Sequence, residues 1–234
     1  MNRIIDETFP FKTENPKKYN QLPAEIFIWT PSDYDILMTL TSRVRMVSLS
    51  QAVAIWWPES TFRVAKRLLR RLCHAGFLET TFINVEPLIS VHKPICSWKP
   101  GKEEPDLKRV SRKAKSRWSN VAKPQQVFFA SRRSSNLFGS SAPGLPPAIQ
   151  RDHDLLLADV YVYYRTQRPK HAEKWIGEDR LAKAGYQQKD PDAFLINDDG
   201  YPTRVIESAG RYGLKQVESF HEYCDEYDLP YELW

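Results

Sequence analysis

Apolar residues recur at helical spacing in three short segments in the first third of the chain. The predicted helices cover residues 33–43, 50–56 and 61–74. Ser32 and Ser60 are the expected N-caps of the first and third helices, because a serine hydroxyl can accept a hydrogen bond from a free amide of the first turn. Pro58 ends the second helix, and Gly76 follows the third where a C-terminal glycine is common.

The pattern then changes to one typical of strands. Residues 77–85 (FLETTFINV) predict a strand, and residues 88–98 (LISVHK and ICSW) can supply a second one. A further short strand is expected at residues 125–131 (QQVFFAS). Three short helices followed by a strand pair are the outline of a winged helix-turn-helix.

A different order of elements is predicted after residue 147. A helix over residues 148–165 is followed by two short apolar runs, DAFLIN and TRVIE, with Asp198, Asp199 and Gly200 between them. This spacing predicts a hairpin. A helix over residues 212–227 and a closing strand in PYELW complete the pattern, and a strand–helix–strand ending favours an α/β domain. The predicted fold class is therefore α+β or α/β, with a winged helix-turn-helix before a small α/β domain.

Composition suggests where the domains are divided. Residues 1–31 contain Pro10, Pro16, Pro23 and Pro31, and we expect an extended arm there. A winged-helix domain with a basic extension is predicted over 32–123, with a helix near 107–118 in the extension. The Ser/Gly/Pro-rich stretch points to a linker over 124–147, which leaves 148–234 as the second domain.

Charge differs between the two halves of the chain. Residues 1–150 hold 23 Lys and Arg and 12 Asp and Glu, a net charge of +11, whereas residues 151–234 hold 11 and 17, a net of −6. The sequence has neither a membrane-spanning apolar run nor a signal-peptide pattern, so we expect a cytoplasmic protein with no membrane partner. The three cysteines are widely spaced, which argues against a disulfide framework or a zinc site.

The third helix has the strongest pattern for a binding surface. Arg63, Lys66, Arg67 and Arg70 follow i, i+3, i+4, i+7 spacing and lie on one side of the helix. Arginine and lysine neutralise phosphates, and arginine also pairs with guanine in the major groove. The predicted DNA-binding residues are Ser60, Thr61, Arg63, Lys66, Arg67, Arg70 and Arg71. Double-stranded DNA is the predicted partner, and the basic segment 108–117 is a second patch. A solvated basic face, or a winged helix that binds protein, is the alternative.

The hairpin predicts a pair of facing carboxylates. If its turn centres between Asp199 and Gly200, Asp192 lies opposite Glu207. Such facing side chains are about 5 Å apart, and like charges there repel unless a cation lies between them. Mg²⁺ or Mn²⁺ bound by Asp192 and Glu207 can activate water for phosphodiester cleavage.

The same residues resemble two known patterns. PDAFLIN and RVIESAG are similar to the core of PD-(D/E)XK nucleases, in which a further carboxylate often comes from a preceding helix. More narrowly, residues 33–234 resemble the replication-relaxation family of plasmids and mobile elements, which combines a winged helix with a nuclease-like domain. The residues that match its motifs are His153, Leu155, Trp175, Glu178, Pro191, Asp192 and Glu207.

The resemblance implies a set of catalytic residues, namely Glu178, Asp192, Glu207 and Lys215. One departure concerns the lysine, because Ala209 occupies the position two residues after Glu207. Lys215 or Arg211 would have to replace this lysine, which orients water and stabilises developing charge. His153 and His221 are assigned no chemistry.

Three functions remain open from the sequence. The leading one is a DNA-binding accessory protein of a mobile genetic element, acting in plasmid replication, relaxation or transfer, either as a homodimer or with a partner protein. An active metal-dependent endonuclease and a winged-helix transcriptional regulator are the alternatives. A protein-docking scaffold with no DNA role is a further one.

Overall fold

A computed structural model describes residues 27–86, 91–118, 121–140, 144–180 and 191–234. Within these ranges the chain is a mixed α+β protein with eight α-helices and eight β-strands. The helices are α1 (Pro31–Ser42), α2 (Leu49–Trp56), α3 (Phe62–His74), α4 (Leu107–Ser116), α5 (Arg132–Phe138), α6 (Arg151–Gln167), α7 (Pro169–Ala172) and α8 (Leu214–Glu226). The strands are β1 (Met46–Ser48), β2 (Leu78–Val85), β3 (Cys96–Trp98), β4 (Lys123–Ala130), β5 (Trp175–Gly177), β6 (Ala193–Ile196), β7 (Pro202–Glu207) and β8 (Tyr231–Leu233). None of the described helices is both long enough and apolar enough to cross a membrane.

The first two helices begin with capping boxes. Thr30 accepts a hydrogen bond from the Asp33 amide, and the Asp33 carboxylate accepts one from the Thr30 amide in return. The predicted N-cap Ser32 is therefore wrong: Pro31 is the first residue of α1, where a missing amide hydrogen costs nothing. Ser48 and Gln51 form the same arrangement in α2.

Helix α3 is capped by Thr61, not by the predicted Ser60. The Thr61 hydroxyl accepts a hydrogen bond from the Val64 amide at 3.4 Å. Leu69 and Leu72 are fully buried on the inner face of α3. Gly76, with φ of 74°, follows the helix in the left-handed conformation that glycine adopts without strain.

A three-stranded antiparallel sheet packs against these helices in the order β1-β4-β2. Its central strand is β4, which pairs along the whole of β2 from Leu78–Ala130 to Val85–Lys123. Part of the predicted linker 124–147 is thus strand β4 and helix α5. Composition was misleading here because Val127 and Phe128 are buried in the core, whereas the Ser/Gly/Pro signal comes from later residues.

The second sheet has five strands in the order β3-β8-β7-β6-β5. Strands β7 and β8 are parallel and are joined by α8, which confirms the predicted strand–helix–strand ending. The hairpin register is also confirmed, since Ala193 pairs with Ile206 and Leu195 with Arg204. The strand predicted within 88–98 did not become the partner of β2: β3 pairs with β8, and residues 87–90 lie outside the described residues.

Helix α6 connects the two sheets. It contacts α2 and β1 on one side, while Tyr161 and Tyr164 contact the Trp175 ring with centroid separations of 5.3 and 5.4 Å. Trp234 is fully buried in the same core, and its ring centroid lies 4.9 Å from that of Tyr163. The apolar core therefore runs continuously between the helices around β1 and the five-stranded sheet.

The basic extension belongs to the second sheet. Helix α4 packs against α8 through Leu107, Val110 and Ala114, which share a cluster with Phe194 and Phe220. The predicted helix over 107–118 is present, but it is not part of the helical bundle formed by α1 to α3. Of the predicted arm 1–31, residues 1–26 lie outside the described residues.

Candidate nucleic-acid interface and carboxylate site

The outer face of α3 is an unpaired cationic surface. Arg63, Arg67 and Arg70 are exposed and Lys66 is half-buried. Among the described residues none of these four side chains forms an ion pair with a carboxylate, although the fold contains many such pairs elsewhere. Basic side chains without partners leave a field of positive potential along the helix.

An open groove of about 850 Å³ runs along this surface. Its walls include the four cations, together with Arg71, His74 and the Phe27 ring from the segment before α1. The groove thus has both an apolar wall and a cationic wall. A phosphate backbone matches the cationic wall because Lys and Arg replace the counterions that surround it.

Arg71 differs from its neighbours on α3. Its guanidinium forms an ion pair with Asp33, which is buried, and donates a hydrogen bond to the Ile28 carbonyl at 3.1 Å. It also lies 4.8 Å from the centroid of the Phe27 ring. The structure thus places Arg71 in contact with the chain before α1, and its charge is compensated within the fold.

The two predicted residues at the start of α3 have different environments. The side chain of Thr61 is used as the N-cap, whereas Ser60 lies in the turn after α2, where its amide bonds to the Trp57 carbonyl at 2.8 Å. Thr61 is exposed and Ser60 is half-buried. Both lie next to Arg63 at the amino end of the helix.

Asp192 and Glu207 meet at the end of the β6–β7 hairpin, as the register predicted. The Asp192 amide donates to Glu207 Oε2 at 3.3 Å, and the Ser208 amide donates to Asp192 Oδ2 at 2.6 Å. Both carboxylates are buried, Glu207 completely. Two buried acidic groups this close require hydrogen-bond donors or positive charge nearby.

His153 on α6 supplies part of that compensation. Its Nε2 lies 3.1 Å from Asp192 Oδ2, and its Nδ1 lies 3.2 Å from Asp154 Oδ1. Burial alone would lower the pKa of His153, but the carboxylates of Asp192 and Asp154 outweigh it and raise the pKa to about 11. The imidazole is therefore protonated at neutral pH and bonds to both acids.

Tyr212 supplies a further donor, because its hydroxyl donates to Glu207 Oε1 at 2.5 Å. Burial, followed by the charges of Glu207 and Asp192, raises the pKa of the Tyr212 phenol well above its usual range. The phenol thus stays protonated and keeps the hydrogen that it donates to Glu207. The sequence did not assign Tyr212 to this site, and it gave His153 no chemistry. The pattern offered one signal for His153, its match to a motif of the replication-relaxation family.

The side chains of the remaining predicted site residues have other environments. Glu178 is next to the pair through its amide, which bonds to the Asp192 carbonyl at 3.0 Å, but its carboxylate forms an ion pair with Arg45. Lys215 is exposed in the first turn of α8 and, within the described part of the chain, forms no ion pair. Arg211 forms an ion pair with Glu86 instead of approaching Glu207.

The side chains around Asp192 and Glu207 bear on the predicted metal site. Among the described residues, no group of three or more His, Cys, Asp or Glu side chains has the arrangement of a metal site. Asp192 Oδ2 and Glu207 Oε1 already accept hydrogen bonds from His153 and Tyr212. His153 and Tyr212 thus already compensate part of the charge that a divalent ion shared by both carboxylates would neutralise.

No protein-family model, curated protein or solved structure matches the chain. Its function is therefore inferred from the α3 surface and from the side chains around Asp192 and Glu207.

Proposed function

We propose that this chain binds double-stranded DNA through the exposed face of α3. The observation that carries the proposal is the set of unpaired cations Arg63, Lys66, Arg67 and Arg70 on one side of the helix. The opposite face, including Leu69 and Leu72, is buried and fixes the orientation of the cations. A helix held in this way fits the major groove, which is about 12 Å wide.

The order of the elements around α3 supports a winged helix-turn-helix. Three helices, with the short strand β1 between the first two, precede the antiparallel pair β2 and β4, and the sheet order is β1-β4-β2. In such a domain the third helix is the recognition helix and the two long strands form the wing. Residues 86–122 are then an insertion within the wing.

The biological role that we propose is that of an accessory protein of a mobile genetic element, acting in plasmid replication, relaxation or transfer. Its support is the resemblance to the replication-relaxation family. Asp192 and Glu207, which match motifs of this family in sequence, lie next to each other at the end of the hairpin, and His153 is within hydrogen-bonding distance of Asp192.

Fluorescence anisotropy tests the DNA-binding proposal. The variant R63Q/R67Q/R70Q is compared with the wild type on a fluorescent duplex of mixed sequence. The matched control, K93Q/R132Q/K170Q, removes three exposed positive charges that are not part of α3. We expect the α3 variant to lose about tenfold or more in affinity near 0.1 M salt and to show a shallower salt dependence, since each phosphate contact contributes about 0.9 to the slope. Equal affinity of the two variants contradicts the proposal.

A metal-dependent endonuclease is a second candidate function, favoured by the convergence of Asp192 and Glu207. The test is nicking of supercoiled plasmid DNA with Mn²⁺ or Mg²⁺, using D192N and E207Q with D199N in the exposed turn as control. Nicking by the wild type and D199N, but not by D192N or E207Q, supports cleavage at this site. Nicking that is equal in all four proteins assigns it to a contaminant.

A further inference from the structure

Helix α4 has a second exposed cationic surface. Leu107, Val110, Ser111 and Ala114 form its buried face. The opposite side carries five exposed basic residues and no acidic one: Lys108, Arg109, Arg112, Lys113 and Lys115. Three of them, Lys108, Arg112 and Lys115, have the i, i+4, i+7 spacing that Arg63, Arg67 and Arg70 have on α3.

The cations of α4 remain unpaired beside an acidic helix. Helix α4 packs against α8, which contains Glu218 and Glu222. Within the described residues, however, none of the five basic side chains of α4 forms an ion pair. Unpaired like charges on one helix repel one another, so a polyanion that binds there relieves this repulsion.

Helix α4 is also attached to the loop that supports the carboxylate site. Ser111 Oγ donates to the Tyr212 carbonyl at 3.0 Å, and the Tyr212 hydroxyl bonds to Glu207. Lys115 Nζ lies close to Gly213: a Cβ atom added to Gly213 would be 3.9 Å from this nitrogen. Lys115 of the basic surface therefore lies beside Gly213, the residue that follows Tyr212 of the Asp192–Glu207 site.

We infer that α4 is a second phosphate-backbone contact, separate from α3, which binds the same DNA duplex next to the Asp192–Glu207 site. This inference rests on the proposed DNA binding by α3. The surface takes the sugar–phosphate backbone by charge alone, so its contribution is independent of base sequence. Helices α3 and α4 pack on different sheets. We therefore expect that a duplex that reaches both is longer than one that reaches α3 alone.

The experiment measures affinity as a function of duplex length. Fluorescent duplexes of about 10 and about 30 base pairs, roughly one and three helical turns, are titrated with three triple variants. These are K108Q/R112Q/K115Q on α4, R63Q/R67Q/R70Q on α3, and the control K93Q/R132Q/K170Q. All nine substituted residues are exposed. Thermal melting checks that each variant is folded.

The α4 variant is expected to bind the short duplex as well as the control does. On the long duplex it should lose about tenfold in affinity, with a salt slope reduced by about 2 to 3, since three phosphate contacts are removed. The inference is overturned if the α4 variant matches the control on both duplexes, or loses the same factor on both. Failure of the α3 proposal gives a different result. In that case the α3 variant, and not the α4 variant, binds DNA with the same affinity as the control.

Discussion

His153 Nε2 lies 3.1 Å from Asp192 Oδ2, which joins α6 to the start of the β6–β7 hairpin. The same imidazole bonds to Asp154 one residue along α6, so a single ring contacts two buried carboxylates. The contact connects a helix of the shared core to the site that the hairpin forms. The site is therefore coupled to the packing of α6 as well as to the sheet.

Stability should depend on pH through His153. Its pKa is about 11 in the folded chain, against about 6.5 when unfolded, so its contribution is complete below pH ~6.5 and is lost as pH rises towards 11. At pH 6 we expect H153Q to be less stable than the wild type by about 1–3 kcal/mol, the range for hydrogen bonds to charged groups. Urea unfolding from pH 6 to 10 should show this difference shrinking. H92Q, at an exposed histidine, is the control, and a constant difference for H153Q would contradict the assignment.

Replacement of Tyr212 by phenylalanine should destabilise the fold. The variant keeps the ring but removes the donor to Glu207 Oε1, which leaves a fully buried carboxylate with one partner fewer. We expect a loss of about 1–3 kcal/mol in the free energy of unfolding. Y201F, which removes the hydroxyl of an exposed tyrosine, should change it little. If both variants unfold at the same urea concentration, the Tyr212 hydrogen bond contributes nothing.

Arg71 and Arg67 should separate stability from DNA affinity. R71Q removes the ion pair to buried Asp33 and the contact with Phe27, and we expect it to lower stability by about 1–3 kcal/mol. R67Q removes an exposed, unpaired charge and should leave stability within about 0.5 kcal/mol of the wild type. Anisotropy should show the opposite order, with the larger loss of DNA affinity for R67Q. If the same variant shows the larger loss in both stability and DNA affinity, the roles assigned to Arg71 and Arg67 are wrong.

Gly177 should not tolerate a side chain. A Cβ atom at this position would lie 2.6 Å from the Arg43 carbonyl oxygen, which also accepts a hydrogen bond from Trp175 Nε1. We expect G177A to cost about 1–3 kcal/mol, because two packed backbone segments have to separate. G213A is the matched control, since Gly213 has an ordinary φ of −71° and its nearest neighbours are side-chain ends. Thermal melting that ranks G213A as the less stable variant would contradict the close approach.

The sequence predicted the elements well wherever the signal was local. The hydrophobic periodicity of α3 and the strand–helix–strand ending are both found, and the hairpin turn predicted the register that places Asp192 beside Glu207. In a hairpin the turn fixes which residues face each other, so the pairing depends on only a few neighbouring residues. The N-caps were one or two residues off, since several hydroxyl residues stand before each helix.

The candidate site was predicted only in part. Asp192 and Glu207 followed from the register, but His153 and Tyr212 complete their environment from α6 and from the loop before α8. Lys215 was selected by its position in the sequence, and its side chain is instead exposed on α8. A side chain that approaches from another element leaves no trace in local periodicity.

The amino-acid sequence by itself determined six of the eight described helices (α1 to α4, α6 and α8), the hairpin register and the basic face of α3, because these depend on residues a few positions apart. Only the tertiary structure decided that β4 is the centre of the first sheet, that β3 pairs with β8, and that α4 packs on α8. These contacts join segments separated by tens of residues. Their formation depends on which apolar faces can be buried together in one core, and that choice is made by the whole chain at once.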